Sequence, residues 1–329
     1  MLGVTVVLVN DGYASTAIAP LEVFSSAGVL LNAFHGREPQ PRFQVTVASV
    51  DGGPVRSAHG MAVAPQVAID EIEETDLVIV SAVGLDIDAA IESHRPLLPW
   101  LRRQEERGAC VAAACAGVSF LAEAGLLDGR RATTHWALKD EFARRYPEVH
   151  WHTESFITED GGVLCGGGVY GVIDLSLYLV EKFCGREIAV ECAKSMLVEM
   201  PRMNQLGFAM MPLATRHGDM AIGKAEEFLQ GNLAQPVRFD ELAARIGMSP
   251  RNFERRFKAA TGRTPRAYLQ ALRIIEARQL LEHGGRSIQQ VAGSVGYDDV
   301  AHFRALFKRH TGLSPAEYRG RFGPASLNL

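Results

Sequence analysis

The 329-residue chain is 47% hydrophobic and 22% charged, an ordinary globular composition that excludes a disordered or fibrous protein and leaves room for two domains with cores of their own. Its formal charge of −4 hides a division, because the stretch from Asp219 onward holds 17 Lys+Arg against 11 Asp+Glu and the remainder is acidic, so the basic part is expected to meet a polyanion. No apolar run approaches the roughly 18 residues of a membrane span, and five cysteines without C-x-x-C or H-x-x-x-H spacing point to reduced thiols, with no disulfide framework, metal site or cofactor expected.

The chain opens on a short apolar run, Val4 to Val9, followed by Asn10-Asp11-Gly12. It has neither a basic flank nor a cleavage site, so it reads as a buried strand of a cytoplasmic protein. A helix is then expected from Pro20 to Phe34, strands at Phe43 to Ser49 and Leu77 to Ser81, a helix from Pro96 to Arg107 and a strand at Cys110 to Ala114. Short apolar runs separated by helices predict a doubly wound, flavodoxin-like α/β parallel sheet. Ligands of such sheets sit at the carboxyl ends of the strands, an edge that includes Asn10 to Gly12, Gly84 and Cys115. Further on, Val163 to Cys165 leads into Gly166-Gly167-Gly168, which lacks the G-K-[ST] ending of a phosphate loop. Helices are expected at Ile173 to Phe183 and Glu187 to Glu199.

Within this domain Val111 to Trp136 carries the chemistry. A strand delivers Cys115 to the tight Ala116-Gly117 turn and a helix follows, which places a thiol at a helix N-terminus, where backbone N–H groups favour the thiolate. The N–H groups of Gly84 and Ala116 can line an oxyanion-type or carboxylate-binding pocket, and His135 arrives 20 residues after the thiol. His135 reads equally as a hydrogen-bonded interior histidine, and Glu22 as a solvated or helix-packing acid. Pro20-Leu21-Glu22-Val23-Phe24, Cys115-Ala116-Gly117, Gly125 to Gly129 and Ala132 to Trp136 together resemble the PfpI-type, glutamine-amidotransferase-like superfamily over roughly residues 3 to 200. The resemblance implies a carboxylate beside the thiol, four residues before the proline of the first helix. Thr16 stands there, and a threonine takes up no proton near neutral pH. The expected ligand-binding set is therefore Thr16, Glu22, Gly84, Cys115, Ala116 and His135, with no catalytic residue; a cysteine hydrolase or hydratase using Cys115 and His135, and a thiol redox sensor, are the alternatives.

Residues 201–218 contain two prolines and several methionines without a clean period and read as a linker, with Met210-Met211 free to pack on either side. Beyond it lies an internal repeat. Ala243, Ile246 and Gly247 recur 49 residues later as Ala292, Val295 and Gly296, whereas Phe253, Phe257-Lys258, Thr261-Gly262, Pro265 and Tyr268 recur 50 residues later. The extra residue falls in Tyr297-Asp298-Asp299. Each copy has helix-turn-helix logic: Asp240 is expected to cap the first helix, Gly247 to turn, and Ser249-Pro250 to open the next helix. Around Phe253 and Phe257 that helix exposes Arg251, Asn252, Glu254, Arg255, Arg256 and Lys258; its second-copy counterpart presents Val300, Ala301, His302, Arg304 and Lys308, faces suited to phosphates and base edges.

The second half closely resembles the AraC/XylS-type DNA-binding domain, and the two halves in this order resemble the GlxA-type group of bacterial transcriptional regulators. The resemblance implies two recognition helices joined by a long one, Pro265 to Glu282, with bases read from Arg251, Glu254, Arg255, Val300, Ala301 and Arg304. It further implies a sensing and dimerising domain over residues 1–200, a DNA-binding domain over 219–323, double-stranded DNA and a small-molecule effector such as an amino acid or another nitrogen metabolite as partners, and activation as the more frequent outcome.

Overall fold

Strands and helices alternate through the first half of the computed structural model, which describes residues 1–209 and 217–324. In chain order they are β1 (Leu2–Val7), α1 (Ser15–Ser26), α2 (Leu30–Phe34), β2 (Phe43–Ser49), β3 (Val55–Arg56), β4 (Ala62–Val63), β5 (Val67–Ala68), β6 (Leu77–Val80), α3 (Ile87–Ser93), α4 (Leu97–Glu106), β7 (Cys110–Ala114), α5 (Val118–Glu123), β8 (Arg131–Ala132), α6 (Lys139–Arg145), β9 (His150–Trp151), β10 (Ile157–Asp160), β11 (Val163–Gly166), α7 (Gly171–Cys184) and α8 (Arg186–Ser195). Seven strands form one sheet in the order β10-β11-β7-β6-β1-β2-β5. Every pairing in it is parallel except β10 with β11, an antiparallel edge that the apolar runs did not announce. The order reverses between β1 and β6, the switch point at whose carboxyl ends such sheets bind their ligands.

The alternation works because β6 and β7 are buried along their whole length. Three consecutive alanines in β7 let helices approach it closely, and Trp100, Leu97 and Leu101 of α4 pack with Val78, Val80, Val111 and Phe120 in one core. Each such side chain contributes on the order of 1.5–3 kcal/mol. The first helix departs from expectation. It begins at Ser15 with Pro20 in its interior, breaks at Gly28 (φ +74°) and resumes as α2. Pro20 has no N–H to donate back to residue 16, so a proline read as a helix start sits one turn inside it.

The second half is all helical: α9 (Met220–Gly231), α10 (Phe239–Arg245), α11 (Pro250–Thr261), α12 (Pro265–His283), α13 (Ile288–Ser294), α14 (Val300–Thr311) and α15 (Pro315–Phe322). The repeat appears as two similar cores. Phe253 meets Phe257 at 5.5 Å and Phe257 meets Tyr268 at 5.3 Å, while Phe303 meets Phe307 at 5.7 Å and Phe307 meets Tyr318 at 5.3 Å. Ser249, Ser287 and Asp299 cap their helices, and Gly262 and Gly312 close α11 and α14 in the left-handed conformation. Asp240 is not a cap: α10 starts at Phe239, two residues before the start such a cap implies, with Arg238 in the N-cap position, and the Asp240 carboxylate accepts from the Arg238 guanidinium at 3.0 Å.

The chain divides into two compact units, Met1–Gln205 and Leu206 onward. Residues read as a linker are thus shared out: Arg202 joins Asp174 in the first unit, whereas Arg278 of α12 donates to the Gly207 and Ala209 carbonyls and Phe208 lies edge-on to Phe322 in the second. Met210 and Met211 lie outside the described residues.

One close approach tests this packing. A Cβ on Gly117 would stand 2.5 Å from the Ser81 carbonyl oxygen, whereas nothing lies within 4 Å of one on Gly223 inside α9. Urea unfolding should therefore show Gly117→Ala destabilising the first unit by about 1–3 kcal/mol, and Gly223→Ala stabilising the second by about 0.5–1 kcal/mol.

Candidate functional site

Three loops converge at the carboxyl edge of the sheet: Asn10–Gly12 after β1, Ser81–Gly84 after β6 and the elbow after β7. They touch backbone to backbone. A Cβ on Gly12 would lie 2.1 Å from the Ala82 oxygen, and one on Gly84 would lie 2.7 Å from the Asp11 oxygen, with Asp11 itself at φ +57°. Thr16 is fully buried among them; its hydroxyl donates to the Tyr13 carbonyl at 2.6 Å and accepts the Ala82 N–H at 2.9 Å. Its proton is spent inside the protein. Thr16 therefore shapes the site by holding the loop that carries Gly84. His94, also buried, accepts the Asn10 N–H on Nε2, so its Nδ1 carries the proton donated to Ala90.

Cys115 occupies the elbow at φ +55°, a left-handed conformation that costs a non-glycine residue about 1–2 kcal/mol. A 3-10 turn, Cys115–Gly117, separates it from α5, which is only six residues long. Burial pushes its thiol up to about 11, with the Ala116 N–H acting in the opposite direction. The expectation that the helix N-terminus would favour the thiolate fails for that reason: desolvation outweighs one backbone hydrogen bond.

The loop with His135 is stitched to the elbow through its neighbour, since Thr134 Oγ1 donates to the Cys115 carbonyl at 2.7 Å. His135 accepts the Ala137 N–H on Nδ1 at 3.1 Å, which leaves the proton of the neutral ring on Nε2. Burial holds the imidazole below its ordinary 6.5. The ring is thus a neutral donor, suited to a carboxylate or carbonyl oxygen. Glu22 is solvent-exposed on α1, as a charged side chain without a buried partner is expected to be.

Sequence reasoning missed Gln205, taken for linker. It is buried beneath the His135 loop, where its amide donates to the Thr134 carbonyl at 2.8 Å and the Ser155 carbonyl at 2.9 Å, and its Oε1 accepts the Trp136 N–H at 3.2 Å. Gly167 leaves room for it, because a Cβ there would overlap the amide at 2.1 Å. A residue 50 to 72 positions from its partners leaves no local signal.

In the second unit α11 exposes Arg251, Glu254, Arg255 and Lys258, with Asn252 half-buried and accepting from Arg255 at 2.9 Å. That bond holds one guanidinium ready. Arg256, read as part of the same basic face, turns instead to Asp219 in a two-pronged ion pair at 2.8 and 3.0 Å. On α14, Ala301, His302, Arg304 and Lys308 are exposed, while Val300 is half-buried against the second core.

Comparison with known proteins supplies the rest. A family model described as DJ-1/PfpI family matches residues 5–182, and one described as helix-turn-helix domain matches residues 242–321. The chain is 32% identical over 314 residues to the HTH-type transcriptional regulator CdhR of Pseudomonas aeruginosa, covering 94% of this chain and 87% of that one. It is 28% identical to the HTH-type transcriptional regulator GlxA of Rhizobium meliloti, covering 91% and 92%. The crystal structure of an AraC family transcriptional regulator from Pseudomonas putida shares the fold of the first unit, with a TM-score of 0.51 at 20% identity over 60% of this chain and 100% of that one.

Two measurements check the geometry. Nitrogen-15 NMR should find His135 as the Nε2–H tautomer, titrating below 6.5. Because the unfolded chain protonates first, folding stability should fall as pH drops below about 6.5, and His135→Asn should remove part of that fall. Iodoacetamide at pH 7.5 should leave Cys115 unmodified in the native protein while labelling it in urea.

Proposed function

Because the chain belongs to the DJ-1/PfpI family in its first half, carries an AraC-type helix-turn-helix domain in its second and is similar along its length to proteins named HTH-type transcriptional regulators, we propose that this regulator is controlled by a small polar metabolite held at the elbow. The observation that carries the reading is a buried Cys115 thiol combined with a threonine, Thr16, at the position where the family resemblance implies a carboxylate. A nucleophile needs a neighbouring base; here the thiol is buried and protonated, and the residue at the carboxylate position has its one proton committed to Tyr13. What remains is a set of donors: the Gly84 N–H, the His135 Nε2–H and the Cys115 S–H, with the Ala116 N–H turned to the thiol sulfur. Such a set favours a carboxylate or carbonyl oxygen, so the effector class is an amino acid or another nitrogen metabolite bearing one.

In this reading residues 1–200 sense the effector and form a homodimer, 201–218 connect, and 219–323 bind double-stranded DNA in the cytoplasm, with activation as the outcome. The domain is a non-catalytic relative of cysteine enzymes. The buried, protonated state of Cys115 equally disfavours a peroxide sensor, which needs an exposed thiolate. On DNA, α11 and α14 supply the contacts: Arg251, Asn252, Glu254 and Arg255 from the first, and Val300, Ala301, His302 and Arg304 from the second, with Lys258 and Lys308 on phosphates.

The DNA half of the proposal is tested by charge reversal. Arg255→Glu together with Arg304→Glu should abolish footprints on sites selected by the wild type while leaving the melting temperature within a few degrees, and Lys258→Ala, which removes one phosphate contact, should flatten the salt dependence by about 0.9 in slope. Persistence of the footprints would refute it. The sensing half is tested by a thermal-shift screen of amino acids and betaines: the ligand that stabilises the wild type should fail with His135→Ala, and turnover of any of them would restore the enzyme reading.

A further inference from the structure

The two copies of the repeat differ by one residue, and that residue lies in the second turn, Gly296 to Asp299. The two turns have different surroundings. Gly247, in the first, has nothing within 4 Å of where a Cβ would stand. Gly296, at φ +78°, is pressed against the connection between α9 and α10: a Cβ there would lie 2.6 Å from the Ala234 carbonyl oxygen. The second copy therefore docks through its turn onto the first.

Arg273, in the middle of α12, closes this seam. Its Nε donates to the Leu233 carbonyl at 2.7 Å, its Nη2 to the Gln235 carbonyl at 3.0 Å and its Nη1 to the Gly296 carbonyl at 3.1 Å, and the guanidinium lies over the Tyr297 ring at 5.1 Å. One rigid fork thus joins two carbonyls of the first copy to one of the second and stacks on the turn with the extra residue. Leu233 packs on both cores from the same place. Lysine offers neither the fork nor the flat face.

We infer that Arg273 is a positioning residue for DNA recognition: it sets the separation and helical phase at which α11 and α14 meet the duplex. The inference rests on the reading that both helices enter DNA. Two recognition helices on one rigid frame bind together only where two sequence boxes match their spacing. Each inserted base pair moves the second box by about 3.4 Å and turns it by roughly 35°. A frame loosened at Arg273 tolerates that change, but it loses the gain from engaging both boxes at once.

The experiment uses full-length protein and a duplex selected by the wild type from random DNA, trimmed to its minimal length. Companion duplexes carry one inserted base pair between the boxes, or either box scrambled. For the wild type, scrambling either box and inserting a base pair should each weaken binding by about 30-fold or more. Arg273→Ala should bind the intact site about tenfold more weakly, match the wild type on single-box duplexes, and lose no more than about threefold on insertion. Arg273→Lys should fall between, and Gly296→Ala, which presses on the same seam without changing charge, should behave like Arg273→Ala. An unchanged insertion penalty in both alanine variants would overturn the inference, as would an equal loss on single-box duplexes, which marks a merely structural role. If scrambling one box costs the wild type nothing, the two-helix reading itself is what fails.

Discussion

Backbone packed directly on backbone at the carboxyl edge of the sheet is the constraint from which the first unit follows. Gly12, Gly84 and Gly117 each stand where a methyl group would overlap a neighbouring carbonyl, and the Thr16 hydroxyl ties the first helix to the loop after β6. The three loops are fixed relative to one another before any ligand is considered. That rigidity suits recognition, because donors held in place lose little entropy on binding. It also places Cys115 out of water, and burial of the thiol removes the reactivity its turn would otherwise confer.

The second unit uses the opposite economy. Its surfaces are polar and its order comes from repeated capping and repeated aromatic triads, so each copy holds its own recognition helix. What a repeat cannot supply by itself is a fixed relation between copies. That relation comes from the places where the repeat is imperfect: an extra residue at the second turn, a glycine pressed on its neighbour, and an arginine that reaches both.

Much of this was legible in the chain. Fully apolar strands, the Cys115 turn and the spacing of Phe253, Phe257 and Tyr268 against Phe303, Phe307 and Tyr318 are local patterns, and each appears where the pattern put it. The misreadings share a cause. Asp240 and Arg256 are charged side chains whose placement depends on what stands opposite, which spacing does not encode: Asp240 has Arg238, and Arg256 has Asp219. The protonated state of Cys115 likewise follows from burial, a property of the whole sheet, although the turn itself was readable. Gln205 was invisible because its partners lie 50 to 72 residues earlier.

Gln205 also locates the joint between the halves for anyone wishing to recombine them. The amide that fills the slot beside Gly167 belongs to the first unit, and the carbonyls of Gly207 and Ala209 belong to the second. A chimera spliced at residue 200 would leave the slot empty and two buried threonines short of a partner. One spliced immediately after Gln205 would carry each half away with its own contacts, so the natural cassette boundary lies within a single residue of Leu206, well inside what composition alone marks as spacer.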